Sequence, residues 1–161
     1  ASTGRVFDNM NAQGRVSPDI YTYNQGTFIG AALELYRITG DKQYLTEAVN
    51  AANYVIEHMS VNNGVLSDAT TGDGGLFHGI FFRYFVKLIN QPDLDYDTRR
   101  KFHEYITSCA TVMAENGVNK ESMLYGGRWW SAPTFTKVVI LTAHLSGCML
   151  MEAMCVLEPL K

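Results

Sequence analysis

Two kinds of helix-like segment alternate along this sequence, and their order limits the possible folds more than any other feature. Segments near 24–39, 76–90 and 134–157 are apolar on almost every face, whereas those near 41–59 and 96–115 are apolar along one stripe. A helix that is apolar all round is buried all round, and a helix with one apolar stripe lies at a surface. The order therefore predicts a chain that winds between an inner and an outer ring of helices.

The fold class that follows is all-α, built of helical hairpins in an alpha/alpha toroid. We expect the inner helices to be parallel to one another, with the outer helices antiparallel to them. Strand-like alternation is absent apart from a short candidate strand at 5–8. A length of 161 residues predicts a single domain over 1–161. Gly40 and Asp41 suit the end of the first helix and the N-cap of the second.

Composition excludes several classes of function. Lys and Arg number 13 and Asp and Glu 16, a net charge of −3 that argues against nucleic-acid binding. The uncharged run 138–151 is shorter than the ~20 residues that span a bilayer, so we expect a core helix and no transmembrane segment. The three cysteines, Cys109, Cys148 and Cys155, lie in apolar segments and are interpreted as small core residues.

The connections between these segments differ in length. Those that follow a buried segment are short, at 39–41 and 90–95, whereas those that precede one are long, at 11–23, 60–75 and 116–133. Because parallel inner helices all begin at the same end, the long connections should share one rim. Long loops on a rigid scaffold commonly carry binding and catalytic residues, so we predict the site at this rim.

The long connections and the helix starts after them contain amides, aromatic rings and charged groups suited to a polyhydroxylated ligand. These candidates are Tyr23, Asn24, Gln25, Asp68, Asp73, His78, Arg128, Trp129 and Trp130. Each also has an ordinary structural interpretation. Asn24 is a possible helix cap, His78 a possible hydrogen-bonded core residue, and Asp68 and Asp73 possible turn residues. Trp129 and Trp130 are adjacent, so we expect one of them in the core.

Metal and cofactor sites are not expected. The four histidines show no paired spacing of the kind that binds zinc. Acidic residues at 93, 95, 97 and 104 match part of a calcium loop, but Thr98 occupies the position where that loop needs glycine. No nucleotide-binding glycine motif is present, so the predicted metals and cofactors are none.

Three stretches of the sequence resemble glycoside hydrolase family 76. They are Tyr-Asn-Gln-Gly-Thr-Phe-Ile-Gly-Ala at 23–31, Phe-His-Gly-Ile-Phe-Phe-Arg-Tyr at 77–84, and Thr-Gly-Arg-Val-Phe-Asp at 3–8, which resembles the segment before Tyr-Asn-Gln-Gly in that family. The resemblance implies an alpha/alpha six-hairpin barrel and endo-acting hydrolysis of alpha-1,6-linked mannan. It also adds Arg83 to the residues expected to contact substrate, and it implies an extracellular, periplasmic or cell-surface location.

The sequence departs from that family at the catalytic centre. The family uses a pair of adjacent aspartates upstream of Tyr-Asn-Gln-Gly, and this sequence contains no Asp-Asp. The chain therefore looks like the C-terminal part of such a barrel, which supplies substrate-lining residues, contains no catalytic residue of its own and is inactive alone. Expected partners are a mannan-like polysaccharide or oligosaccharide, and either the upstream half of the barrel or a second copy. Charged residues are only 18% of the chain, which favours an uncovered apolar edge.

Two other functions remain open on the same scaffold. One is a noncatalytic carbohydrate-binding module. The other is a different toroid sugar enzyme, an epimerase or an unsaturated-uronide hydrolase, which would rely on His78 and Asp73 at the rim.

Overall fold

The computed structural model describes residues 3–61, 64–66, 72–133 and 139–160, and its regular structure there is helical. Five α-helices form: α1 Thr22–Thr39, α2 Lys42–His58, α3 Phe77–Ile89, α4 Tyr96–Val112 and α5 Leu141–Val156. A 3-10 turn, Gly72–Leu76, leads into α3, and a π-helical turn, Met113–Gly117, follows α4. The all-α prediction is confirmed, and residues 5–8 form no strand.

The ends of the helices follow from local sequence in most cases. Gly40 ends α1 with a left-handed backbone (φ +71°), and the Asp41 side chain caps α2 by accepting from the Gln43 N–H at 2.9 Å. Helix α1 begins with Tyr21 at its N-cap position and no side-chain cap. The interpretation of Asn24 as a helix cap is therefore wrong, because Asn24 already lies within the first turn.

Helices α1, α3 and α5 are parallel and adjacent. Gly26 of α1 lies against the backbone of Phe81 in α3, and one turn later Gly30 lies against the Tyr84 ring. Between α3 and α5, the Gly79 N–H donates to Ser146 Oγ at 3.0 Å, and Asn90 Nδ2 just after α3 donates to the Val156 carbonyl at 2.7 Å. In both pairs the contacting residue numbers rise together, so the predicted parallel inner layer is confirmed.

Helices α2 and α4 form the outer layer. Lys101 Nζ of α4 donates to Asn53 Oδ1 of α2 at 2.7 Å, and further along both chains the Tyr105 hydroxyl lies 2.8 Å from Ser60 Oγ. The outer pair is therefore also parallel. Helix α2 buries one stripe of small and aliphatic side chains, whereas α3 buries most of its length: Phe81, Phe82, Phe85 and Leu88 are all fully inaccessible. The inner and outer assignment of these two helices is confirmed.

The expectation that a helix apolar all round is buried all round is wrong for α1 and α5, whereas the uncovered apolar edge expected from the sequence lies on these two helices. In α1, Leu35 is 43% and Ile38 72% exposed, and in α5, Leu141 is 67% and Leu145 40% exposed. Helix α1 packs against α2 and α3, and α5 packs against α3 and the turn before it, but each of the two leaves an apolar face open. The sequence pattern predicts that a helix face is apolar, but it does not predict which element packs against that face.

Helix α5 also starts later than the predicted 134. Its N-cap is Ile140, whose backbone is extended (φ −76°, ψ 129°). The preceding run 138–140 is β-branched, and such side chains lose rotamer freedom in a helix. Residues 134–138 lie outside the described residues. None of the helices in the described ranges is long and apolar enough to cross a membrane.

The open faces of α1 and α5 lead to a prediction about association. We expect the purified chain to sediment at micromolar concentration as species heavier than its 18.0 kDa monomer, because monomers rarely leave large apolar patches uncovered. Sedimentation velocity measures this. The double variant Ile38→Lys, Leu145→Lys changes exposed side chains only and should shift the population towards monomer without lowering the melting temperature. A single monomeric species for the unmodified chain would contradict the prediction.

Candidate functional site

The N-termini of the three inner helices meet at one rim. Thr22 Oγ1 in the first turn of α1 lies 2.9 Å from His78 Nδ1 in the first turn of α3. Thr142 and Ser146, in the first two turns of α5, donate from their hydroxyls to the Gly72 and Gly75 carbonyls, both at 2.6 Å. The described parts of the long connections therefore end at the same rim, as predicted.

A small antiparallel pairing recurs in each long connection. Single bridges join Met10 to Val16 before α1, Ser60 to Leu66 before α3, and Val118 to Tyr125 before α5. Sequence reasoning missed these pairings because one bridge leaves no alternating pattern. Each pairing folds part of its connection back on itself before the next inner helix begins.

Asp8 is bound to the first turn of α1. The Tyr23 hydroxyl and Asn24 Nδ2, the latter at 3.3 Å, both donate to Asp8 Oδ1, and Asn9 Nδ2 donates to Oδ2 at 2.8 Å. The hydrogen bond from Tyr23 is the main reason that the pKa of Asp8 lies below its usual value, and the same bond raises the pKa of Tyr23. Asp8 is therefore held as an ionised carboxylate beside two of the predicted site residues.

Asp8 itself was not among the candidates from sequence. The only signal for it was its place at the end of the 3–8 segment, and its partners lie fifteen or sixteen residues further along the chain.

Three aromatic rings lie beside this carboxylate. The Tyr23 ring is 4.5 Å from Phe77 and 6.1 Å from Tyr21, and Tyr21 and Phe77 are 5.2 Å apart between ring centroids. Tyr21 is 36% exposed, and Tyr23 and Phe77 are half-buried. We call Tyr21, Tyr23 and Phe77 the rim aromatic cluster. Flat rings of this kind can cover the apolar face of a ligand, while the Tyr23 hydroxyl stays bonded to Asp8.

His78 and Trp129 lie beneath the rim. Trp129 is 1% and His78 6% exposed, and their rings meet edge to face with centroids 5.5 Å apart. The expectation that one tryptophan is buried is met by Trp129, while Trp130 is half-buried and packs against the core. His78 has the environment of a hydrogen-bonded core histidine. Neither His78 nor Trp129 presents a ring to solvent at the rim.

The remaining candidates occupy different positions. Gln25 is fully buried, and its Nε2 donates to the Val6 carbonyl at 2.8 Å, which anchors the N-terminal segment to α1. Asp73 is exposed on the 3-10 turn before α3, Arg83 is exposed on α3, and Arg128 is exposed ahead of the two tryptophans. Asp68 lies outside the described residues. The structure thus brings Tyr23 and Asn24 together around Asp8 and places Gln25 in the interior, although the sequence predicts that Gln25 contacts substrate. The role of each in ligand binding stays a prediction.

Metal ligands are not clustered in the described part of the chain. No group of three or more His, Cys, Asp or Glu side chains there could hold an ion. The chemistry that the rim offers is hydrogen bonding to hydroxyl groups, from Asp8 and exposed polar side chains, next to aromatic surface.

Comparison with known proteins places these features in a family context. The model of glycosyl hydrolase family 76 matches residues 1–161. An α-1,6-mannanase from a Salegentibacter species superposes with a TM-score of 0.88 and 38% identity, over 98% of this chain and 47% of that one. A protein from Listeria innocua superposes with a TM-score of 0.84 and 31% identity, over 96% of this chain and 43% of that one. No curated protein matches the chain.

One further solved structure shows a ligand. An inactive variant of the Salegentibacter enzyme, in which two adjacent aspartates are replaced by asparagine, was solved with α-1,6-mannotriose; its TM-score is 0.88 at 38% identity, again over 98% of this chain and 47% of that one. The present chain thus spans less than half the length of these solved structures.

Proposed function

This chain belongs to glycosyl hydrolase family 76, and from that premise we propose that it forms the substrate-lining part of a barrel that hydrolyses α-1,6-linked mannan. The substrate class is that of the Salegentibacter mannanase, to which the chain is 38% identical. The sequence has no adjacent aspartates, so the catalytic pair would come from a part of the barrel that this chain does not span. We further propose that the protein acts outside the cytoplasm, where mannan polymers occur.

The observation that carries the proposal is the Asp8 carboxylate beside the rim aromatic cluster. A carboxylate has about four acceptor positions, and Tyr23, Asn24 and Asn9 use three of them. The fourth is left to accept from a sugar hydroxyl. The rim aromatic cluster offers apolar surface against which the C–H face of a mannose ring packs. The hydroxyl groups of that mannose then reach the Asp8 carboxylate.

The hydrogen bonds to Asp8 give it a definite role in this scheme. Because they keep the carboxyl ionised and fix its orientation, Asp8 accepts hydrogen bonds and does not donate a proton to the glycosidic oxygen. Hydrolysis needs a proton donor and a second carboxylate, ~5–5.5 Å apart for retention or ~6.5–9.5 Å apart for inversion. Asp8 therefore binds and orients substrate while other carboxyl groups perform the chemistry.

A binding measurement tests this role. We expect Asp8→Asn to weaken binding of α-1,6-mannotetraose about tenfold or more, because a hydrogen bond to a charged acceptor contributes more than one to a neutral acceptor. Isothermal titration calorimetry on the purified chain measures the affinity, with a β-linked glucose tetrasaccharide as the ligand control.

The matched control is Asp93→Asn. Asp93 also accepts from a tyrosine hydroxyl, Tyr36 Oη at 2.9 Å, but it lies beyond the C-terminal end of α3, away from the rim. Its replacement should leave mannotetraose affinity unchanged. Equal losses in the two variants, or no loss in Asp8→Asn, would contradict the proposed role of Asp8.

A further inference from the structure

A histidine and a cysteine on α5 form a pair that the proposed sugar site does not use. His144 and Cys148 are one helical turn apart, and Nε2 of the imidazole lies 3.5 Å from Sγ of the thiol. Cys148 is partly exposed, so small molecules can reach the sulfur. The pair lies in the N-terminal half of α5, next to the connection that leads from α4.

A backbone contact fixes the tautomer of this histidine. The Tyr125 N–H donates to His144 Nδ1 at 3.1 Å, which means that Nδ1 carries a lone pair. In the neutral ring the proton is then on Nε2, and the Nε2–H donates towards the Cys148 sulfur. The same contact disfavours metal binding through Nε2, since a metal would need a lone pair on that nitrogen.

The ring of Tyr125 keeps this arrangement in place. It stacks on the His144 ring, with centroids 5.7 Å apart and ring planes inclined by 21°. Gly147 makes the stacking possible, because a Cβ at that position would lie 2.5 Å from Tyr125 Cγ. The bridge from Val118 to Tyr125 ties the same residue to the start of the connection. The His144 imidazole, which donates to the sulfur, is therefore held both by the backbone N–H of Tyr125 and by the Tyr125 ring.

From this geometry we propose that Cys148 is a covalent modification site for soft electrophiles, with His144 as its positioning residue. A hydrogen-bond donor at sulfur stabilises the thiolate, which is the nucleophilic form. With an alkyl halide such as iodoacetamide, the thiol first loses its proton to solvent. The sulfur then forms a bond to the CH₂ carbon, the carbon–iodine bond breaks, and iodide leaves with its electron pair.

The other two cysteines provide internal comparisons. Cys155 is more exposed than Cys148 but lies in the last turn of α5, where the helix dipole opposes negative charge, and the acidic Glu158 follows three residues later, beyond the helix. Glu152 lies one turn from both thiols, so its negative charge affects the two cysteines alike. Cys109 is buried, and its burial raises its pKa to about 12. If exposure alone set the rate of alkylation, Cys155 would react fastest of the three cysteines. The contact with His144 favours faster alkylation of Cys148.

The experiment is timed alkylation of the native chain with iodoacetamide at pH 7, followed by mass spectrometry of the peptides. We expect Cys148 to react about three- to tenfold faster than Cys155, because the His144 N–H donates to the attacking sulfur. His144→Leu should reduce the Cys148 rate to that of Cys155. His144→Gln, which can present an amide N–H to the sulfur, should restore part of the difference.

Cys109 reports whether a variant has unfolded, because it reacts only when the core opens. A Cys155 rate equal to or above that of Cys148 in the unmodified chain would overturn the proposal without any variant. A Cys148 rate unchanged in His144→Leu, with Cys109 still protected, would overturn the role of His144.

Discussion

Purified by itself, the chain should release no mannooligosaccharide from α-1,6-mannan above the background of the uncatalysed reaction. The described rim carries Asp8, which is engaged by Tyr23 and Asn24, and Asp73, which is exposed on the turn before α3. Neither is held as the proton donor that glycoside hydrolysis usually requires. Chromatography of reducing sugars after prolonged incubation measures the release. Loss of one general acid alone costs ~10²–10⁴-fold in rate, so absence of the pair should reduce activity below detection.

One outcome would contradict this expectation, and a second would contradict the proposed hydrolase function. Release of mannooligosaccharides that disappears in Asp73→Asn would mean that the chain carries its own catalytic carboxylates. Mannan binding without hydrolysis by a longer form of the protein that includes the rest of the barrel would favour the noncatalytic carbohydrate-binding alternative.

Replacing Gly26 by alanine should destabilise the fold by about 3 kcal/mol. The added Cβ would lie 2.6 Å from Phe81 Cα and 3.0 Å from the Ile80 carbonyl oxygen, so two helix backbones would have to separate. This cost outweighs the ~0.5–1 kcal/mol that alanine gains over glycine within a helix. Urea unfolding followed by circular dichroism gives the change in unfolding free energy.

Gly30→Ala is the matched control, one turn further along the same helix. Its Cβ would meet the ring of Tyr84, a half-buried side chain that can rotate, and not a backbone. We expect it to destabilise the fold by clearly less than Gly26→Ala. If the two variants lose equal stability, the backbone contact between α1 and α3 is not the limiting feature.

The layer arrangement was predictable because burial leaves a strong periodic signal. Helix α2 has one apolar stripe, whereas α3 is apolar on most faces and leaves Arg83 and Lys87 exposed, and their observed burial differs accordingly. The burial of α1 and α5 was overestimated because the exposed residues Ile38 and Leu141 are as apolar as any core residue. Hydropathy alone cannot distinguish a covered face from an open one.

The site was less predictable than the fold, since its geometry depends on contacts between distant residues. Tyr23 and Asn24 were expected at the rim from their place before a buried helix, and they lie there. Their partner Asp8 comes from a separate segment, and no local pattern joins the two. Gln25 and Trp129 are polar or amphipathic residues next to rim positions, yet the helix direction and the core packing turn both side chains inward.

The backbone contact at Gly26 also determines how a polymer could reach this protein. Helices that touch through glycine lie near the low end of the usual interaxial range, about 8 Å. The family implies a closed ring of six such helices. In a regular hexagon the centre is as far from each corner as neighbouring corners are from each other, so the central axis lies ~8 Å from each helix axis. Side chains extend ~5–6 Å from each helix axis towards the centre. The opening left is too narrow for a polysaccharide to thread. Under the proposed function, a mannan chain would therefore lie across the open end of the ring, so that internal linkages are accessible without a free chain end.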